Sequence, residues 1–155
     1  MPEKNLRPWT PFEEKLGSVV VKLMSYANTW IYRKSAGQIG GKFLRGAPVL
    51  LLTTTGRKSG LQRTAPLLYL RDGERVVLVA SKGGMSHSPQ WYYNALANPD
   101  VEVEIGAERT PMRARQASDA EKAELWPKLC AMYPDYDDYQ ARTERNIPVL
   151  ILTPR

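Results

Sequence analysis

The densest group of chemistry-bearing side chains is Gly56-Arg57-Lys58-Ser59-Gly60, preceded by Thr53-Thr54-Thr55 and followed by Arg63-Thr64. Three cations and a row of hydroxyls after an apolar run suit an anion. Arginine grips phosphate or carboxylate with two N–H groups, and lysine adds a point charge. The flanking glycines let backbone amides approach a ligand closely. A solvated hairpin tip has a similar composition, so the residues alone leave both readings open.

Three further segments carry polar or aromatic groups at element ends. Ala80-Ser81-Lys82-Gly83-Gly84 interrupts a strand pattern. Gln90-Trp91-Tyr92-Tyr93-Asn94 holds three consecutive aromatics, which cannot all face one core. Tyr133, Tyr136 and Tyr139 recur every third residue, so on a helical turn they project from one side. Their flat faces and phenol protons suit a planar ligand, and equally a sealed domain edge.

Much chemistry is excluded. The single cysteine, Cys130, allows no internal disulfide or thiolate cluster, and the single histidine, His87, allows no multi-histidine metal site. No Gly-x-Ser-x-Gly motif occurs. Glu102 and Glu104 alternate with valines and should face outward, not form an acid–base pair. Gly37-Gln38-Ile39-Gly40-Gly41-Lys42 fails as a phosphate loop, because Ala36 and Phe43 stand at required Gly and Ser/Thr positions; it reads as a flexible connector. The net charge of +6 calls for an anionic partner, yet no nucleic-acid reading motif is present.

The elements that must position these groups follow from periodicity. Residues 1–36 form a basic N-terminal segment, loose over its first ten residues and helical from Phe12 to about Lys34. Its apolar positions Phe12, Leu16, Val19, Val20, Leu23, Met24, Trp30 and Ile31 make a stripe that suits either packing on the domain or a membrane interface. Residues 37–155 form the main domain. Strands are expected over 48–55, 62–71, 75–81, 101–105, 109–116 and 147–153, with the first three in an antiparallel meander turning at Asp72-Gly73. Ser88 should cap a helix begun by Pro89, and Ser118-x-x-Glu121 should open another. The result is a small antiparallel barrel with helices packed outside. No signal peptide or membrane-spanning run is visible, which points to the cytoplasm, with peripheral contact at the inner face of the membrane open to the N-terminal helix.

Taken in order, LLTTTGRKSG, RT-P, LVASKGG, PQWYYNALANPDVEV and MYPDYDDYQ resemble the deazaflavin-dependent nitroreductases of actinobacteria, from about Trp30 to the C-terminus. The resemblance implies a mainly antiparallel, six-stranded split β-barrel similar to flavin-binding split barrels. It implies coenzyme F420, a deazaflavin with a phosphate and an acidic oligoglutamate tail. Arg57, Lys58, Ser59, Arg63 and Thr64 would hold the phosphate and tail, with Ala65, Pro66, Leu67 and Leu68 continuing along the strand. Val79, Ala80, Ser81 and Lys82 would lie along the ring. Gln90, Trp91, Tyr92, Tyr93 and Asn94 would complete the cofactor site, with Tyr136 closing it.

The implied activity is hydride transfer from reduced F420 to a planar acceptor of the quinone class, menaquinone-like, with nitroaromatic reduction on the side. Ser81 and Tyr136 would hydrogen-bond the acceptor, and Tyr133 and Tyr139 would wall its pocket. An FMN-dependent split-barrel reductase and a non-catalytic cofactor carrier or membrane-docking module are the alternatives. No metal or nucleophile is required, because the cofactor supplies the chemistry.

Overall fold

The computed structural model describes residues 6–42 and 46–155. Helix α1 runs Pro11–Lys34, then strands β1 Val49–Thr55, β2 Gln62–Leu68, β3 Leu70–Asp72 and β4 Arg75–Val79. Helix α2, Gln90–Ala97, precedes β5 Asp100–Ile105 and β6 Glu108–Gln116. Helices α3, Asp119–Met132, and α4, Asp135–Arg142, lead to β7, Val149–Pro154.

All strand pairs are antiparallel, in the order β2-β1-β5-β6-β7-β4-β3. The two edge strands are consecutive in the chain, separated only by Tyr69. The expected second strand is therefore one bent strand. Its first half pairs with β1 through Thr53↔Thr64, and its second half pairs with β4 through Arg71↔Val76. The break raises the strand count from six to seven and closes the sheet into a split barrel. The meander survives in bent form.

Strands β1, β4 and β7 are apolar on both faces because both are covered. Leu50, Leu52, Val76, Leu78, Leu150 and Leu152 fill the barrel interior with α2 aromatics. Val77, Val79, Val149 and Ile151 pack outward on Leu125 and Leu129 of α3. Each such side chain contributes about 1.5–3 kcal/mol by leaving water.

Helix α1 is anchored at its two ends. Thr10 and Glu13 form a capping box at the start. Trp9 Nε1 donates to Gly83 O at 2.7 Å, so the chain is already fixed at Trp9, not loose to residue ten; residues 1–5 of that expectation lie outside the described residues. At the other end Tyr32 is buried; its hydroxyl accepts from Gly106 N and donates to Val49 O. Arg33 and Arg109 clasp the carboxylate of Glu104, which is buried, not outward-facing as alternation predicts. Its outward direction is the space beneath the end of α1. The segment after α1 is an ordered turn rather than a flexible connector. Gly37 donates to Tyr32 O, and a Cβ there would lie 2.8 Å from Gly106 Cα; Phe43 of the rejected phosphate loop lies outside the described residues. Between its anchors α1 leaves Phe12, Leu16, Val19, Val20, Leu23, Met24 and Trp30 exposed.

Candidate functional site

Strand directions bring the two polar loops together. Strands β1 and β4 each run antiparallel to halves of the same bent strand, so they point the same way. The loop after β1, carrying Arg57 and Lys58, and the turn after β4, carrying Ser81 and Lys82, therefore leave the same end of the barrel. Helix α2 begins at that end, joined to the first loop by Arg57.

The first loop closes on itself. Gly56 N donates to Leu61 O at 2.7 Å and Gly60 N donates to Gly56 O at 2.9 Å, so these amides complete a hairpin and do not face a ligand. Ser59 Oγ accepts from Leu61 N. Closure pushes the long side chains outward. Arg57 Nη1 donates to Asn94 Oδ1 and Nη2 to Gln90 Oε1, both at 2.9 Å, with the guanidinium 5.2 Å from the Tyr93 ring centre. Arg33, Arg75, Arg109 and Arg115 rest on carboxylates, whereas Arg57 rests on neutral amides. Lys58 and Arg63 are exposed and have no carboxylate partner among the described residues. Thr64 turns the other way. Its hydroxyl meets Thr53 Oγ1 at 2.8 Å and accepts from Arg33, placing it beneath α1. On β2, Ala65 to Leu68 are half-buried, with Leu67 against the barrel core.

The second loop is a tight turn whose three residues, Lys82, Gly83 and Gly84, have φ of 45°, 63° and 79°. A lysine in the left-handed region is strained and persists only where its surroundings fix it. They do so here. Arg145, just before β7, donates to Met85 O, Ser88 Oγ, Ala80 O and Ser81 O at 2.7–3.3 Å. This contact takes the Ser88 hydroxyl away from helix capping, and α2 starts at Gln90 after Pro89 without a side-chain cap. From α1, Glu14 accepts from Ser86 N and Ser86 Oγ. Burial opposes ionisation of Glu14, yet these bonds, with His87 and Lys82 nearby, hold it below its ordinary pKa. Burial, aided by Arg145, lowers the Lys82 pKa.

Trp91, Tyr92 and Asn94 are buried; Trp91 and Tyr92 belong to the barrel core, and Tyr92 Oη donates to Gln116 Oε1. Tyr93 is the aromatic left for Arg57. Val79 and Ala80 are buried, and Ser81 is 9% exposed at the turn. The three tyrosines do meet, with ring centres 5.1–6.3 Å apart. Tyr133 and Tyr136 lie in the outer core against α3, however, and Tyr139 is half-buried. Tyr133 Oη bonds Tyr139 Oη at 3.2 Å, leaving Tyr136 Oη with no hydrogen bond among the described residues. Burial raises the pKa of Tyr133 and Tyr136, so both remain proton donors at neutral pH.

A cavity of about 360 Å³ opens on the far side of the turn, lined by Trp9, Glu14, Gly84, Ser86, Arg142 and Arg145 among others. Its lining includes none of the cations of the first loop. Trp9, Glu14 and Arg145 were invisible as site residues in the sequence. They reach the turn from distant segments, and the one local signal, the Thr10-x-x-Glu13 capping pattern, marks where α1 begins along the chain but not what its start packs against. No group of His, Cys, Asp or Glu able to hold a metal occurs among the described residues. The donor set fits an organic polyanion: Arg57, Lys58 and Arg63, none of them on a carboxylate among the described residues, stand at the barrel end from which the turn emerges.

The family model for F420H(2)-dependent quinone reductase matches residues 24–154. A Mycobacterium tuberculosis protein named F420H(2)-dependent quinone reductase is 45% identical over 128 residues, 81% of this chain and 86% of its own. A solved F420-H2 dependent reductase (FDR-A) superposes with a TM-score of 0.63 at 42% identity, covering 68% of this chain and 93% of that one. Another solved chain, described as a domain-swapped dimer, gives 0.66 at 36% identity, covering 82% and 94%.

Proposed function

Because the chain belongs to the F420H(2)-dependent quinone reductase family, we propose that it moves a hydride from reduced coenzyme F420 to a quinone. The observation that carries this is Arg57, held by two neutral amides beside Lys58 and Arg63, which have no carboxylate partner among the described residues, at the barrel end where the Ser81–Lys82 turn emerges. When bound, F420 supplies the hydride. Arg57, Lys58 and Arg63 hold its phosphate and acidic tail. Ser81 and Tyr136 orient the acceptor oxygen, and buried Tyr133 keeps the wall dry and protonated. The quinone is menaquinone-like, and nitroaromatics that fit the same slot are reduced as a side activity. Oxidation of reduced F420, followed by absorbance against a panel of quinones and nitroaromatics, tests this. Turnover with quinones supports it. Tighter binding of FMN than of F420, or F420 binding without any acceptor-dependent oxidation, would replace it with the flavin-reductase or carrier reading.

The exposed stripe on α1 supports a second element, peripheral contact with the inner face of the membrane. No helix of the described residues is long and apolar enough to cross one. Phe12, Leu16, Val20, Leu23 and Trp30 can enter the interface while Lys15, Lys22 and Lys34 meet anionic headgroups. Flotation with anionic liposomes is expected to carry the intact chain. A chain lacking residues 1–30 should stay at the bottom of the gradient, and equal flotation of both would remove the membrane role.

A further inference from the structure

Lys82 Nζ lies 2.8 Å from His87 Nε2, an uncommon contact between two basic groups. Two protonated nitrogens cannot face each other at that distance, so one donates and the other accepts along a path a proton can follow. The other ring nitrogen, Nδ1, is 3.4 Å from Ser86 Oγ and 3.7 Å from Glu14 Oε2. His87 is exposed, and Glu14 and Ser86 line the cavity of about 360 Å³, so the outer end of this series reaches water. The inner end is Lys82, in its left-handed turn beside Ser81. The charged groups facing the pair are Glu14 from α1 and Arg145 from the segment before β7. Glu14 precedes the part of the chain that the family model matches.

We propose that Glu14, His87 and Lys82 form a proton relay that completes reduction of the acceptor. This rests on the reading of reduced F420 as hydride donor. A hydride brings both electrons to a carbonyl acceptor and leaves one oxygen anionic. Lys82 gives that oxygen a proton; its N–H bond breaks as the O–H bond forms. As His87 Nδ1, on the side that Glu14 faces, takes up a proton from bulk water, the Nε2–H proton passes to the neutral amine, and exchange of the Nδ1 proton with solvent returns the ring to its Nε2–H form. No further oxidant or reductant is needed.

His87 is the only histidine in the chain, so its imidazole can be read alone by ¹⁵N NMR. In the unmodified protein the Nε2 signal should show a hydrogen bond that Lys82→Met abolishes. That measurement needs no cofactor and no turnover. In kinetics, His87→Asn should lower kcat for quinone reduction by about 10- to 100-fold, within the range of acid–base contributions. The F420 Kd should stay unchanged, and added imidazole should restore the rate. An unchanged kcat in His87→Asn would overturn the relay. So would a loss that imidazole does not rescue, or an Nε2 signal indifferent to Lys82→Met. If the unmodified enzyme turns over no quinone, the hydride reading fails instead, and the NMR result still decides whether the hydrogen-bonded pair exists.

Discussion

Replacing Arg57 and Lys58 together by alanine is expected to weaken F420 binding by about 100-fold while leaving the fold intact. Charge-assisted hydrogen bonds contribute about 1.5–3 kcal/mol each, and about 1.4 kcal/mol is tenfold in affinity. Arg57 should carry the larger share because it is already placed. Asn94 and Gln90 hold two of its nitrogens, and Tyr93 supports its guanidinium face. An anion meeting this group requires little further ordering of the side chain. Lys58 has no such support and acts mainly through charge. Arg57→Lys should therefore recover part of the salt dependence but little of the affinity, because an ammonium cannot span both amides and an oxyanion. Both residues are exposed, so the double variant should melt close to the parent. Titration followed by F420 fluorescence at two salt concentrations reads all of this. The parent's affinity should fall steeply with salt and the variant's should not. Equal affinities would return the loop to an ordinary hairpin tip.

The legible parts of the molecule were those governed by local rules. Ser118 and Glu121 form the expected capping box, and the run from Val49 to Thr54 is buried on both sides. The parts that sequence reasoning misplaced were decided by residues far along the chain. Ser88 would have capped α2 had Arg145, 57 residues later, not taken its hydroxyl. Glu104 sits at an outward position of β5, but Arg33 and Arg109, themselves exposed, cover its carboxylate and bury it. The glycines of the first loop looked like ligand-facing backbone and instead close a hairpin. For the candidate site, residue types were readable. That both loops leave one end of the barrel follows from the antiparallel directions that the meander already implies, whereas the apolar pattern of residues 62–71 gave no reason to expect the bend at Tyr69.

The turn that holds Ser81 and Lys82 leads to the last prediction. Gly84→Ala should destabilise the protein by about 2–5 kcal/mol, combining the cost of a left-handed φ with overpacking. The φ of Gly84 is 79°, and a Cβ there would lie 2.5 Å from Tyr139 O and 3.0 Å from Tyr139 Cα. These are backbone atoms of α4, so no side-chain rotation relieves the clash. Either α4 retreats or the turn does. Retreat of α4 separates Tyr139 from Tyr133, whose hydroxyls now bond each other, and opens the wall around Tyr136. Retreat of the turn pulls Ala80 O and Ser81 O from Arg145. Gly83→Ala isolates the two contributions. Its φ is 63°, but nothing lies within 4 Å of a Cβ there, so only backbone strain remains, about 1–2 kcal/mol. For a chain of this size each kcal/mol shifts Tm by about 2–4 °C. Thermal melts should therefore place Gly84→Ala well below Gly83→Ala. Gly84→Ala should also raise KM for the acceptor, because both escape routes disturb groups assigned to acceptor binding. Equal melting temperatures for the two variants would show that α4 does not press on the turn, and would break the proposed link between the tyrosine wall and Ser81.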